Sequence, residues 1–478
     1  MNTKHNWLTE KNQKPKRKKT SLLGEIMSVR TLLDISLQSE PDRDNLYSKF
    51  VQNQRIASIP SFTLESGETI CSVPVAYSTW GTLSENRDNV LVLCHALTGS
   101  SDAVDWWRPL VGPGKALDYS RYFIFCANVL GSPYGSASPV STNPDTGKQY
   151  GPDFPETTAR DDVAIHKLIL DALGVSSIAA VIGGSMGGMA ALEWTLCTPP
   201  GYVKNVVPIT TSAYHGAWGI SWGETQRQAI YSDASFKSGW YTPTPSGQPS
   251  QGLGTARMIA MLTYRSHGSF EERFSRRPAA PPPRPSAVAS ASLPSPPTSH
   301  RGSISSTTSD PESKIPDSRI DFAAQSYLHY QADKFLKRFD ANCYIHLTRK
   351  MDTHDVTRDR LPPRSAQAYP PSEDDLRQVL SKAPSNALVV SVATDVLFRP
   401  EQQQELARCL PEARFVSLDS PDGHDGFLLE FERLNQLIRD YLEERCPWVG
   451  RGSIVDDATA SAEAVVNSVF GEAEDVVF

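Results

Sequence analysis

The chain has no apolar run of membrane-spanning length, so no stretch of it reads as a transmembrane helix. It has no apolar signal-peptide core near its start, which argues against secretion. Cysteine is sparse: seven in 478 residues, at Cys71, Cys94, Cys126, Cys197, Cys343, Cys409 and Cys446, with no C-x-x-C among them. An odd, scattered set excludes a disulfide framework and a structural zinc site, and fits a reduced, cytoplasmic setting. Charge of one sign is missing in bulk. A net charge of -7 leaves no overall basic surface for nucleic acid. The one basic block, Lys14-Pro15-Lys16-Arg17-Lys18-Lys19, reads as a solvated, disordered tail, with a nuclear-localisation or polyanion-binding tag as the alternative. Met27 is a second possible start, which would remove that block.

What is present is an alternation of buried strands and amphipathic helices. Residues 89–94 and 122–127 are near-continuous apolar runs, as expected for strands covered on both faces. Two earlier strands, near 62–64 and 73–77, join through Ser66-Gly67. Residues 161–173 gather Val163, Ile165, Leu168, Ile169 and Leu173 on one helical side, with Gly174 as C-cap. Strands at 177–182 and 203–209 continue a mainly parallel α/β sheet. From 211 to about 360 no core strand is expected, and helices are predicted over 225–231, 253–264 and 326–351. Strands resume at 387–392 and 414–418, and the last strong helix covers 427–442. These patterns predict an irregular basic leader (1–50), with structure beginning around Ile59. A first core part (51–210) and a helical lid insertion (211–365) follow. The insertion contains a Pro/Ser-rich loop (276–318) that cannot bury enough surface to offset its ordering entropy. A second core part (366–447) and a tail (448–478) complete the chain.

The most specific feature is Gly183-Gly184-Ser185-Met186-Gly187, entered from a strand and left into a helix start. G-x-S-x-G in that context is a nucleophile elbow: the serine sits in a strained strand-to-helix turn, and small neighbours let strand and helix approach. A nucleophilic serine needs a base, and the base needs an orienting acid. Asp395 follows the strand at 387–392, and His424 follows the strand at 414–418. Both emerge at carboxyl ends of neighbouring strands, where open α/β sheets place their sites. Ser185, Asp395 and His424 occur in the chain order of the α/β-hydrolase fold, with a mostly parallel sheet and a helical lid insertion. His95 is a less suitable base. It opens the loop that supplies an oxyanion donor in such folds, so the backbone N–H groups of Leu97 and Met186 are the expected oxyanion hole.

The residues around these positions resemble the fungal homoserine O-acetyltransferase family. The likeness is carried by Tyr77-Ser78-Thr79-Trp80-Gly81, His95-Ala96-Leu97-Thr98-Gly99, Asn128-Val129-Leu130-Gly131-Ser132-Pro133, Gly183 to Gly188 and Gly423-His424-Asp425-Gly426-Phe427. It covers about 55–442 outside the Pro/Ser-rich stretch. The resemblance implies acetyl transfer from acetyl-CoA to the hydroxyl of L-homoserine by a ping-pong route. It implies acetyl-CoA as co-substrate with no bound cofactor and no metal, a homodimer, and neither nucleic-acid nor membrane partners. It also implies that Arg227 takes the substrate carboxylate and Asp425 lies near its amine. Serine O-acetyltransferase, homoserine O-succinyltransferase and deacetylcephalosporin C acetyltransferase remain open, because one methylene in a pocket is worth only about 1–3 kcal/mol. A catalytically inactive interaction protein is the alternative of a different class, hard to reconcile with an intact triad.

Overall fold

The computed structural model describes residues 34–42, 44–279, 320–362 and 369–450. The basic block, Met27, residues 280–319 of the Pro/Ser-rich region and the tail from 451 onward lie outside the described residues. Within them one sheet holds β1 (Arg55–Thr63), β2 (Thr69–Trp80), β3 (Val90–Cys94), β4 (Phe123–Ala127), β5 (Ile178–Gly184), β6 (Val206–Ile209), β7 (Leu388–Val392) and β8 (Arg414–Leu418). The spatial order is β1-β2-β4-β3-β5-β6-β7-β8. β2 runs antiparallel to β1 and to β4, and all other pairings are parallel.

The helices are α1 (Ala103–Trp107), α2 (Ala159–Ala172), α3 (Met186–Cys197), α4 (Ala217–Tyr231), α5 (Ser250–Tyr264), α6 (His267–Arg273), α7 (Ala323–Leu336), α8 (Ala341–Asp352), α9 (Glu373–Leu380), α10 (Pro400–Cys409), α11 (Gly426–Leu429) and α12 (Phe431–Arg445). Among the described residues, no helix is long and apolar enough to cross a membrane.

Alternation along β3 explains why its sequence is apolar throughout. Val90 and Val92 enter a core with Ile169 and Leu170 of α2 and Leu192 of α3, whereas Leu91 and Leu93 enter another with Trp107 of α1 and Leu434 and Ile438 of α12. Both faces of the sheet are therefore covered. α2 starts where its sequence directs: Thr158 and Asp161 cap each other's backbone N–H in a capping box. A third core lies under the helices between β6 and β7. It joins Met186 and Met189 of α3 to Leu253 and Ala260 of α5, Phe335 of α7, and Phe339. Phe335 stacks on Phe339 at 4.9 Å and meets Tyr344 edge-on at 5.7 Å. Each such buried side chain contributes on the order of 1.5–3 kcal/mol of transfer free energy, so this core fixes α7 and α8 on α3.

Three expectations change. Packed structure begins before Ile59, because Asn45, Tyr47 and Val51 are buried and β1 starts at Arg55. The predicted helix over 326–351 is two helices. The chain turns at residues 337–340, and the Asp340 side chain accepts the Cys343 N–H at 3.0 Å to restart α8. The predicted helix over 427–442 is likewise split at Glu430, whose ψ of 51° is not helical.

Candidate active site

β5 and α3 meet at Ser185, whose φ of 58° and ψ of -124° lie in a region that costs a non-glycine residue about 1–3 kcal/mol. Backbone bonds hold it there. Ser185 N–H donates to the Ile209 carbonyl at 2.9 Å, and its own carbonyl accepts from Gly188 at 2.9 Å. The flanking glycines are required by contact. A Cβ on Gly183 would sit 2.2 Å from the Gly187 carbonyl oxygen, and one on Gly187 would sit 2.0 Å from that of Cys94.

Asp395 follows β7, and His424 lies in the turn after β8. His424 Nδ1 is 2.8 Å from Asp395 Oδ2. The other carboxylate oxygen, Oδ1, accepts the N–H groups of Leu397 and Phe398, both at 2.9 Å. With Asp395 accepting, Nδ1 carries the proton and Nε2 keeps the lone pair that a base needs. The imidazole is gripped by rings. Phe398 stacks on it at 5.3 Å, Phe427 meets it edge-on at 5.6 Å, and Tyr264 of α5 approaches at 6.1 Å. Ser185 and His424 line one cavity together with Leu97, Thr98, Trp222, Gly223, Gln226 and Asp352.

The Leu97 loop is braced from behind. Buried His95 donates Nδ1–H to the Ala96 carbonyl at 2.8 Å and accepts the Val129 N–H on Nε2 at 3.1 Å. Gly99 N–H reaches the same carbonyl at 2.9 Å. In a planar trans peptide the Leu97 N–H points opposite to the Ala96 carbonyl, so these bonds fix its direction. Met186 N–H opens α3, where helical N–H groups lack intrahelical partners. Burial holds His95 neutral, lowering its pKa to about 4.

Arg227, on α4, is buried behind the cavity wall. It binds Asp352 Oδ2 at 2.7 Å through Nη2 and Glu224 Oε2 through Nε and Nη2 at 3.0 and 2.9 Å. Asp425 faces the cavity but lies 3.1 Å from Arg265 Nε, within ion-pair range though not aligned as a hydrogen bond. Of the seven residues picked from the sequence, Leu97, Ser185, His424 and Asp425 line the cavity, whereas Asp395 stands behind His424, Met186 follows Ser185 and Arg227 lies behind the lining. Sequence reasoning missed Asp352, Gly223, Phe398 and Tyr264. Only Asp352 left a signal: it is the last residue of α8, where a carboxylate meets the negative end of the helix dipole.

A family model described as the alpha/beta hydrolase fold matches residues 89–431. A homoserine O-acetyltransferase of Emericella nidulans is 46% identical over 483 residues, covering 92% of this chain and 96% of that one. The chain belongs to the fungal homoserine O-acetyltransferase family. The fold of this family also appears in the crystal structure of homoserine O-acetyltransferase from Bacillus anthracis, with a TM-score of 0.65, 22% identity, and coverage of 83% of this chain and 98% of that one. Esterase E22 shares it too, with a TM-score of 0.65, 24% identity, and coverage of 82% and 99%. The same fold thus occurs in proteins named for transfer and for hydrolysis.

Proposed function

We propose that this protein transfers an acetyl group from acetyl-CoA to the hydroxyl of L-homoserine, giving O-acetyl-L-homoserine and CoA through acetyl-Ser185. Family membership supports the reaction. The observation that carries the residue roles is the 2.8 Å contact of His424 with Asp395 beside Ser185 at the elbow.

In the first half-reaction His424 Nε2 takes the Ser185 proton as Oγ attacks the thioester carbonyl. The oxyanion is received by the Leu97 and Met186 N–H groups. The tetrahedral species collapses, the C–S bond breaks, and the imidazolium returns its proton to the departing CoA sulfur. In the second half, His424 takes the proton of the homoserine hydroxyl, whose oxygen attacks the acetyl-serine. Collapse releases the ester, and the proton returns to Ser185 Oγ. Asp395 holds the imidazole tautomer and balances its transient charge. Arg227 is the assigned partner of the substrate carboxylate, since a guanidinium fork suits a carboxylate. A homodimer in the cytoplasm completes the proposal, checked by light scattering and by cell fractionation.

The test offers acetyl-CoA or succinyl-CoA with L-homoserine or L-serine and follows free CoA. Acetyl-CoA with homoserine should turn over, and Ser185→Ala should abolish it. CoA release that needs serine, or that survives the alanine variant, would overturn the proposal.

A further inference from the structure

Arg338 lies in the turn between α7 and α8 and is buried at 4% exposure. Its Nη1 donates to the Thr98 carbonyl at 3.1 Å and to Tyr134 Oη at 3.0 Å. The Thr98 carbonyl shares a peptide group with the Gly99 N–H, which donates to the Ala96 carbonyl at 2.9 Å. The Ala96 carbonyl in turn shares its peptide with the Leu97 N–H. In a trans peptide C=O and N–H point in opposite directions, so hydrogen bonds run head to tail through the group. Arg338, the Thr98–Gly99 peptide and the Ala96–Leu97 peptide thus form one chain. Its far end is the N–H assigned to the oxyanion. A buried guanidinium is costly to desolvate, and a neutral hydroxyl could hold a lone carbonyl at less cost. The charge has a use if it polarises what it binds. Hydrogen bonds in such chains strengthen one another, and electrostatics inside the protein are stronger than in water.

We propose that Arg338 is a positioning residue that reaches from the helical insertion and polarises the oxyanion hole through two peptide groups. It fixes the Thr98–Gly99 peptide, and through it aims the Leu97 N–H. It also makes that N–H a stronger donor as negative charge develops on the acetyl carbonyl oxygen. This rests on the acetyl-Ser185 route and on Leu97 as oxyanion donor, as proposed above. His95 holds the Ala96 carbonyl at 2.8 Å from the end of β3, and Arg338 holds the same turn from the side of α7 and α8. Both half-reactions pass through an oxyanion at one place, so both should depend on Arg338 alike. Arg338 does not line the cavity of Ser185 and His424, so it has no direct hold on the acceptor.

The test follows the CoA burst from acetyl-CoA alone, kcat and KM for homoserine, and inhibition by 1,1,1-trifluoroacetone, whose hemiketal with Ser185 carries an oxyanion. Arg338→Met removes donor and charge, Arg338→Gln keeps a neutral donor, and Arg338→Lys keeps the charge. An oxyanion donor removed outright costs roughly 100- to 1000-fold in rate, and one that stays but loses its polarising partner should cost less. Arg338→Met should therefore slow the burst and kcat alike by on the order of tenfold and weaken trifluoroacetone by a similar factor. The homoserine KM should stay within about threefold, because the acceptor is not touched. Arg338→Lys should recover most of the lost rate and Arg338→Gln little of it, and this pair decides the matter if the Met variant does not fold. Tyr134→Phe, which removes only the other acceptor of Nη1, should keep the burst rate within about threefold of wild type. The inference is overturned if folded Arg338→Met keeps the burst rate, if the Gln variant is as fast as the Lys variant, if Tyr134→Phe slows the burst as much as Arg338→Met, or if the loss falls on the homoserine KM alone. A wild-type protein that gives no burst, or trifluoroacetone binding that survives Ser185→Ala, would instead overturn the acetyl-serine reading beneath it.

Discussion

His95 offers a sharp prediction, because its two ring nitrogens do different jobs and can be replaced separately. Asn places a side-chain amide near the Nδ1 position, whereas Gln places one near Nε2. His95→Asn can still hold the Ala96 carbonyl but abandons the Val129 N–H. His95→Gln can still accept from Val129 but releases the Ala96 carbonyl. An abandoned buried N–H costs about 1–3 kcal/mol, so the Asn variant should be the less stable of the two by roughly that amount. A misdirected oxyanion donor can cost about 3 kcal/mol of transition-state stabilisation. The Gly99 N–H, at 2.9 Å, still holds the Ala96 carbonyl, so only one of two anchors is lost. The Gln variant should therefore lose activity nearer 10-fold than the several-hundred-fold of a removed donor. Denaturant unfolding measures the first effect, and the CoA burst rate measures the second. If the Asn variant is both the more stable and the less active, His95 does not steer the Leu97 peptide.

Other outcomes follow from burial. Desolvation lowers the pKa of His95 and His166 to about 4 and that of His215 to about 3. A depressed histidine gives its full stability above the unfolded value near 6.5 and loses it as pH falls toward 4, at up to about 1.4 kcal/mol per pH unit for each group. Asp102, raised to about 6 by burial, works in the opposite sense, so the comparison should be made within a pair: His166→Gln should flatten the slope between pH 6.5 and 4.5 by one proton relative to wild type, as read by denaturant titration. Gly187→Ala drives a Cβ to 2.0 Å from the Cys94 carbonyl and should cost at least about 3 kcal/mol or prevent folding, seen as loss of the unfolding transition. Lys350→Met strips Asp162 of a buried partner at 2.6 Å and should destabilise by about 3–5 kcal/mol, with partial recovery on adding Asp162→Asn; thermal melts of both variants check it.

The sheet was legible because its strands obey local rules: apolar runs at 89–94 and 177–182, ended by glycine or polar turns, became β3 and β5. The elbow was legible because its glycines answer contacts as close as 2.0 Å, which no other residue can tolerate. The break after α7 was hidden. Apolar spacing continues through Phe335, Phe339 and Tyr344, and these three rings pack together on both sides of the turn. Periodicity records which residues face the core, not whether the chain between them is one helix or two. Asp352 left only the faint signal of a carboxylate at a helix C-terminus. Its meaning depends on Arg227, 125 positions away, which only the packing of α4 against α8 brings within hydrogen-bond reach.

The residues assigned to bond-making and those assigned to choosing an acceptor come from different parts of the chain. Ser185, Asp395, His424 and the Leu97 loop all stand at the ends of sheet strands. Arg227 comes from α4, between β6 and β7. Tyr264, on α5, joins the two groups by packing on the His424 ring. An acyl-serine faces water and the acceptor alike, and transfer wins only if the acceptor hydroxyl is held where water would otherwise stand. Pairing the acceptor carboxylate with Arg227, as proposed above, is one way to hold it, and Arg227 lies on a helix rather than the sheet. Substitutions that discharge Arg227 should therefore lower acetyl transfer to homoserine more than they lower hydrolysis of the acetyl-serine. The ratio of O-acetylhomoserine formed to acetate released from the same acetyl-CoA measures this partition. An unchanged ratio would mean that the helices hold the acceptor by contacts other than Arg227.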